Sequence, residues 1–203
     1  NHNAKAIVVA CNTASSVVFD TLCKDYTIPL FDVVSPSVKY ALKKSKNKNI
    51  CVIGTDNTIR SKAYSKQFLA LYPKCNIYEI ACPLFVPIIE EGWSNTEIAH
   101  QIAKIYLQNL NKKDIDTLIL GCTHYPLLKT ALQNYLGIDS KLTTSGEALV
   151  PIITQFMDEH KIHSVSNKEE TQFYITDFPQ KFNEIGSRFL GRELKNINFI
   201  DSF

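Results

Sequence analysis

The chain has 203 residues, 45% of them hydrophobic and 21% charged, with 22 Lys and Arg against 20 Asp and Glu for a formal net charge of +2. This is the composition of an ordinary globular chain, and it argues against a dedicated nucleic-acid surface, which would carry a strong basic excess. No apolar run approaches the ~18 residues that span a bilayer, and the opening residues, with Lys5 leading straight into an apolar run, do not read as a secretory signal.

Strand-like and helix-like stretches alternate along the sequence. In chain order, the patterning predicts a strand over Lys5–Ala10, a helix over Thr13–Tyr26, a strand over Ile28–Val34 and a helix over Ser37–Ser45. A strand at Asn49–Gly54 and a helix at Asn57–Tyr72 follow, then a strand at Asn76–Ala81 and a helix at Thr96–Leu110. In that helix Ile98, Ile102 and Ile105 fall at helical spacing, with Glu97, His100 and Lys104 off the stripe. The series continues with a strand at Thr117–Gly121, helices at Leu127–Leu136 and Glu147–His160, a strand at Gln172–Thr176, a helix at Pro179–Leu190 and a strand at Ile197–Ile200. Regular β/α alternation implies parallel sheets flanked by helices, with ligands gathering at the carboxyl ends of the strands. The lysines of KKSKNKN at 43–49 read as a solvated loop.

Two of these strands end in the same way. Residues 7–16 read IVVACNTASS and residues 118–126 read LILGCTHYP: an apolar strand, a cysteine, then small polar groups. The chain has six cysteines, without a CxxC pair, so neither a disulfide framework nor a zinc site is expected and the thiols should be reduced. Cys23, Cys51, Cys75 and Cys82 read as buried small hydrophobes. Cys11 and Cys122 differ because each sits at a strand-to-helix turn, where hydrogen-bond donors favour a thiolate. Two βα halves facing each other across a cleft would put one thiol on each wall. One thiolate could then remove a proton from a carbon while the opposing thiol delivers one to the other face. A protease-like Cys–His pair would leave the second motif idle, and a redox pair would be expected as CxxC.

CNTAS at 11–15, GCTHYPLL at 121–128 and CPLFVPIIEEG at 82–92 closely resemble the glutamate racemases, as do GTDNTIRSKAY at 54–64 and SGEALV at 145–150. The resemblance implies an α/β fold of two flavodoxin-like parallel-sheet domains with the active site in the cleft between them. One domain would be discontinuous, residues 1–34 plus 145–203, and the other would be residues 35–144. It implies interconversion of L- and D-glutamate, supplying D-glutamate for peptidoglycan, with neither pyridoxal phosphate nor metal as cofactor. Cys11 matches the base that acts on the D-enantiomer and Cys122 the base that acts on the L-enantiomer. His124 matches the histidine that assists Cys122, and Glu90 the auxiliary carboxylate, with neighbouring Glu91 an open alternative. Asn12, Thr13 and Thr123 match contacts to the amino-acid head group, and Thr55 and Thr58 match threonines near the side-chain carboxylate. Both of the latter also suit helix capping, which does not exclude ligand contact. The expected partner is the small-molecule substrate glutamate, with a homodimer as an option, no nucleic acid and no membrane, in a bacterial cytoplasm.

The family pattern also carries an Asp-Ser-Gly motif on a preceding strand and a later Pro-Tyr-Gly motif, neither of which occurs in this sequence. The expectation is a first domain truncated by about one strand–helix–strand unit. A pocket lacking that wall would admit water and lose head-group contacts, so activity of these residues alone is in question. The alternatives are a related aspartate or hydantoin racemase, or a non-catalytic amino-acid-binding remnant.

Overall fold

The computed structural model describes residues 4–137, 140–162 and 171–201. Two compact units are formed, residues 1–160 and 161–203. The first opens with strands β1 (Ile7–Val8) and β2 (Leu30–Phe31), which pair in parallel with Ile7 opposite Leu30. The single helix expected between them is two, α1 (Asn12–Val17) and α2 (Phe19–Asp25). The break falls at Val18 (φ −118°, ψ −4°), where successive β-branched side chains weaken the helix. The next helix, α3 (Val34–Lys44), starts earlier than expected. Asp32 Oδ1 accepts the Ser35 backbone N–H at 2.6 Å, which turns the chain into a helix just after β2.

A four-stranded parallel sheet follows, formed by β3 (Asn49–Gly54), β4 (Asn76–Ala81), β5 (Thr117–Gly121) and β6 (Lys141–Thr144) in the order β4-β3-β5-β6. The first three match their predicted bounds. β6 was not expected, because KLTT holds one large apolar residue and gives no strand-like run. β3 and β5 lie at the centre, buried on both faces, as their continuous apolar sequence requires. Ile50, Val52 and Ile119 share one buried cluster with Val34, Val38 and Ala41 of α3 and with Tyr64 and Phe68.

The helix expected over Asn57–Tyr72 is divided into α4 (Asp56–Ser61) and α5 (Ala63–Leu71) by Lys62, which adopts φ 59°. The Lys62 ammonium lies 2.8 Å from Glu79 on β4. The same carboxylate accepts the Ser65 hydroxyl at 3.0 Å and fastens the start of α5 to the sheet. A short helix not anticipated, α6 (Phe85–Glu90), precedes α7 (Glu97–Leu107). The isoleucine stripe predicted for α7 does not face inward: Ile98 and Ile105 are exposed and Ala99, Ala103 and Leu107 are buried. Small alanines at i and i+4 let the helix approach its neighbours closely. After β5 comes a 3₁₀ turn at Tyr125–Leu128, then α8 (Lys129–Leu136), and after β6 comes α9 (Ser145–Glu159). α9 opens with a capping box, Thr144 accepting the Glu147 N–H while Glu147 accepts the Thr144 N–H.

The second unit, taken by itself, pairs β7 (Phe173–Ile175) in parallel with β8 (Ile197–Phe199) through α10 (Pro179–Leu190). Pro179 starts this helix and Gly191 (φ 65°) ends it. Among the described residues no helix is long and apolar enough to cross a membrane.

At the amino end of the four-stranded sheet, Asp116 gathers the loop before β3. Its carboxylate accepts the Ser45 hydroxyl at 2.7 Å, the Lys46 and Asn47 backbone N–H groups at 2.6 and 2.9 Å, and the Thr117 hydroxyl at 2.9 Å. Partial burial alone would raise this carboxyl, but the hydrogen bonds outweigh it and hold Asp116 below the usual carboxylate range. A depressed folded-state pKa means the stabilisation is present above the unfolded value of ~3.9 and is lost as pH falls through the folded one. Asp116→Asn is therefore expected to lower the midpoint of thermal unfolding at neutral pH by roughly 2–4 °C, the shift that about 1 kcal/mol produces in a chain of this size. The gap to the parent chain should narrow below about pH 4. Calorimetry at both pH values measures this, and an equal gap at both would exclude the carboxylate charge as its source.

Candidate active site

Every strand of the four-stranded sheet delivers polar residues at its carboxyl end. β3 runs into Thr55 and Thr58, β4 into α6 with Glu90 at its last position, β5 into Cys122 and His124, and β6 into Ser145. Gly54 and Gly121 stand opposite each other in the ladder. A methyl group on Gly121 would meet the Ile53 carbonyl oxygen at 2.7 Å, so only glycine lets β5 lie against β3 immediately before Cys122.

After β1, Cys11 lies just before α1 with extended backbone (φ −72°, ψ 121°). The thiol residue is exposed, whereas Asn12 beside it is only 1% exposed. Asn12 Nδ2 donates to Tyr64 Oη at 2.8 Å and to Ser145 Oγ at 2.9 Å. Its Oδ1 is buried without a hydrogen-bond partner. Thr13 reaches two further hydroxyls, Thr55 at 2.8 Å and Thr58 at 3.1 Å, and those two lie 3.0 Å apart. The three threonines thus close a triangle in which each hydroxyl can donate or accept as its proton rotates. Thr55 also caps α4 by accepting the Thr58 N–H.

Cys122 is buried and, with Thr123 and Ser145, lines a cavity of about 290 Å³. Cys11 and Thr13 line another cavity, about 770 Å³, together with Asn57 and Arg60. Cys122 Sγ lies 3.8 Å from His124 Nδ1, and His124 Nε2 lies 3.3 Å from Glu90 Oε1. Of the two adjacent glutamates, Glu90 is the one that faces the histidine. A carboxylate offers only lone pairs, so it favours a proton on Nε2 and leaves Nδ1 as an acceptor toward the thiol. Burial pushes the Cys122 thiol up; N–H groups of His124 and Tyr125 and the Thr123 hydroxyl oppose this, and charge on Cys11 adds to it. The two thiols line different cavities.

All nine candidate residues from the sequence lie at these strand ends, in two groups: Asn12, Thr13, Thr55 and Thr58 on one side, and Cys122, Thr123, His124 and Glu90 on the other, with Cys11 beside the first. Among the remaining thiols, Cys51 and Cys82 are raised by burial and fit their packing role, while Cys23 is exposed, contrary to the expectation for it. Tyr64 and Ser145 were not anticipated. Both lie in segments that resemble family sequence, but neither carries a charge or reactive group to single it out. Among the described residues, no group of three or more His, Cys, Asp or Glu side chains is placed to hold a metal ion.

The family described as Asp/Glu/Hydantoin racemase matches residues 1–153. A glutamate racemase from Sulfurihydrogenibium sp. (strain YO3AOP1) is 44% identical over 194 residues, covering 94% of this chain and 71% of that protein. The crystal structure of a glutamate racemase from Bacillus anthracis superposes with a TM-score of 0.91 at 34% identity, over 97% of this chain and 74% of that one. The structure of a glutamate racemase from Francisella tularensis in complex with D-glutamate gives 0.90 at 35% identity, over 98% of this chain and 75% of that one.

Exposure and burial rank the thiols. Limiting iodoacetamide near neutral pH is expected to label Cys11 and Cys23 before Cys75 and Cys122, with Cys51 and Cys82 last, as read by peptide mass spectrometry. Labelling of Cys122 should accelerate as pH rises past the ordinary thiol value of ~8.5, since its thiolate forms only above it. Modification of Cys122 ahead of both exposed thiols would contradict the site as described.

Proposed function

The chain belongs to the Asp/Glu/hydantoin racemase family, and from that premise we propose that it interconverts L- and D-glutamate by proton transfer between two cysteines. It is an amino-acid racemase, and D-glutamate is its contribution to peptidoglycan synthesis. In the proposed mechanism the substrate α-carbon lies between Cys11 and Cys122. A thiolate on one side removes the α-proton and the thiol on the other returns a proton to the opposite face, inverting the centre. Cys11 acts on the D-enantiomer and Cys122 on the L-enantiomer.

The observation that carries this reading is the chain Cys122–His124–Glu90 beside one of the two thiols. A negative charge on Cys11 would hold the proton on Cys122, as inversion with Cys11 as the base requires. When Cys122 serves as base, His124 Nδ1 draws its proton away while Glu90 steadies the positive charge that develops on the ring. In the reverse direction Cys122 delivers the proton, a role suited to a thiol whose ionisation is held back by burial. Asn12, Thr13 and Thr123 bind the head group, and Thr55 and Thr58 the side-chain carboxylate, their hydroxyl protons turning outward to donate to it.

The domain division expected from the sequence belongs to the same proposal. The four-stranded sheet falls wholly within residues 35–144, and the break points lie where β2 gives way to α3 and β6 to α9.

Incubation with L-glutamate in D2O, followed by NMR for α-proton loss and by chiral chromatography for D-glutamate, tests this reading. Cys11→Ala and Cys122→Ala are each expected to lower kcat roughly 10²–10⁴-fold, the range for loss of a general acid or base. Glu90→Gln should slow turnover at least ~10-fold while Glu91→Gln stays within about twofold of the parent, since only Glu90 faces His124. Turnover of aspartate or a hydantoin with glutamate left unchanged would overturn the substrate. Full activity in either alanine variant would overturn the two-thiol step.

A further inference from the structure

Tyr64 is fully buried, in the apolar cluster between α3 and the four-stranded sheet. A phenylalanine would fill the same volume without bringing a hydroxyl into the core, where a polar group is costly unless it is paired. Here the hydroxyl is paired, and its partner is Asn12, the neighbour of Cys11. The ring of the same side chain lies over the strand end that carries the other thiol: a Cβ on Gly121 would stand 3.6 Å from Tyr64 Cε2. One side chain thus bonds the residue after Cys11 and fills the space beside the residue before Cys122. Its own position is fixed from the first turn of α5, where Glu79 accepts the Ser65 hydroxyl and pairs with Lys62.

Resting on the assignment of Asn12 to the substrate head group, we propose that Tyr64 is a positioning residue that fixes which end of the Asn12 amide meets the substrate ammonium. The Asn12 nitrogen spends its two protons on Tyr64 Oη and Ser145 Oγ, and the buried Oδ1 is the acceptor left over. An ammonium group needs an acceptor there, and a turned amide would present N–H to it instead. Ser145 alone does not choose between the two orientations, because a hydroxyl can accept from Nδ2 or donate to Oδ1. At Tyr64 the direction is set: Ser37 gives its own proton to the Val33 carbonyl at 2.6 Å, so it can only accept from the Tyr64 hydroxyl, which leaves Tyr64 Oη to accept from Nδ2. Burial pushes ionisation of the phenol up, so the group stays neutral across the working pH range.

The ammonium keeps its charge throughout the reaction, so a misdirected amide weakens ground state and transition state alike. Tyr64→Phe keeps the ring and loses only the hydroxyl. It is expected to raise KM for glutamate roughly tenfold, about what one ordinary hydrogen bond is worth, with kcat within about twofold of the parent. In an Asn12→Ala background the same substitution should leave KM unchanged, because the contact through which it acts is gone. A second readout needs no turnover. In ¹⁵N NMR spectra of the substrate-free protein, the Asn12 side-chain amide, assigned by its loss in Asn12→Ala, should shift and exchange faster with solvent in Tyr64→Phe. Unchanged amide resonances, or KM effects of the two substitutions that multiply, would overturn the proposal and return Tyr64 to core packing. A parent chain that leaves glutamate unchanged would instead remove the substrate assignment, and the amide spectra would still decide whether Tyr64 holds Asn12.

Discussion

Where β3 and β5 end, Gly54 faces Gly121 and the two backbones lie too close for a side chain on Gly121. This contact sets the geometry beyond it. Thr55 leaves one strand and Cys122 leaves the other at the same level of the sheet, so the residues that follow emerge side by side. Parallel pairing makes this possible, because it sends every carboxyl end to the same side. Buried central strands keep the register, since a slip by one residue would turn Ile50, Val52 and Ile119 out of their cluster. The polar groups at the strand ends therefore need little local structure of their own. α4 and α6 are only six residues each, and the sheet does the positioning.

The thiol on β5 has an environment unlike that of the one after β1. Cys122 is enclosed, and burial opposes its ionisation; the imidazole at 3.8 Å gives its proton somewhere to go. Cys11 is open to solvent. An imidazole and a carboxylate beside one thiol and exposure of the other give two unlike surroundings built from the same strand–cysteine pattern. For racemisation this asymmetry has a limit. The enantiomers are equal in free energy, so kcat/KM must match in the two directions whatever each thiol experiences. The difference between the two surroundings can appear only in how kcat and KM are divided between the enantiomers.

How much of this could be read from the sequence depended on the residue. β3 and β5 were legible to their last residue because each is a mainly apolar run with a turn residue at its end, and β4 because its apolar residues are bounded by Asn76 and the turn after Ala81. β6 was not, since its place at the sheet edge comes from pairing with β5 rather than from its own four residues. Val18 and Lys62 split predicted helices because helical periodicity survives a one-residue break that only backbone angles reveal. In α7 the isoleucines set the hydrophobic pattern, yet close approach favoured the alanine face. The cysteine motifs stood out in the sequence, but which of Glu90 and Glu91 lies beside His124 is visible only in the 3.3 Å contact of Glu90. Tyr64 and Ser145 were missed for a simple reason. Their importance lies in touching Asn12, and residues 52 and 133 positions away leave no local signal of that.

Asp116 binds the loop before β3 at the amino end of the sheet, while the thiols, the histidine and the threonine triangle sit at its other end. The central strands β3 and β5 between them are buried and hold the two ends apart in the fold. A lineage of such proteins could drift at the chemical end, accepting substitutions that strain or loosen the cleft, and restore thermal tolerance by strengthening the Asp116 loop. The sheet acts as a partition between durability and chemistry, and variation on one side need not be tuned to variation on the other.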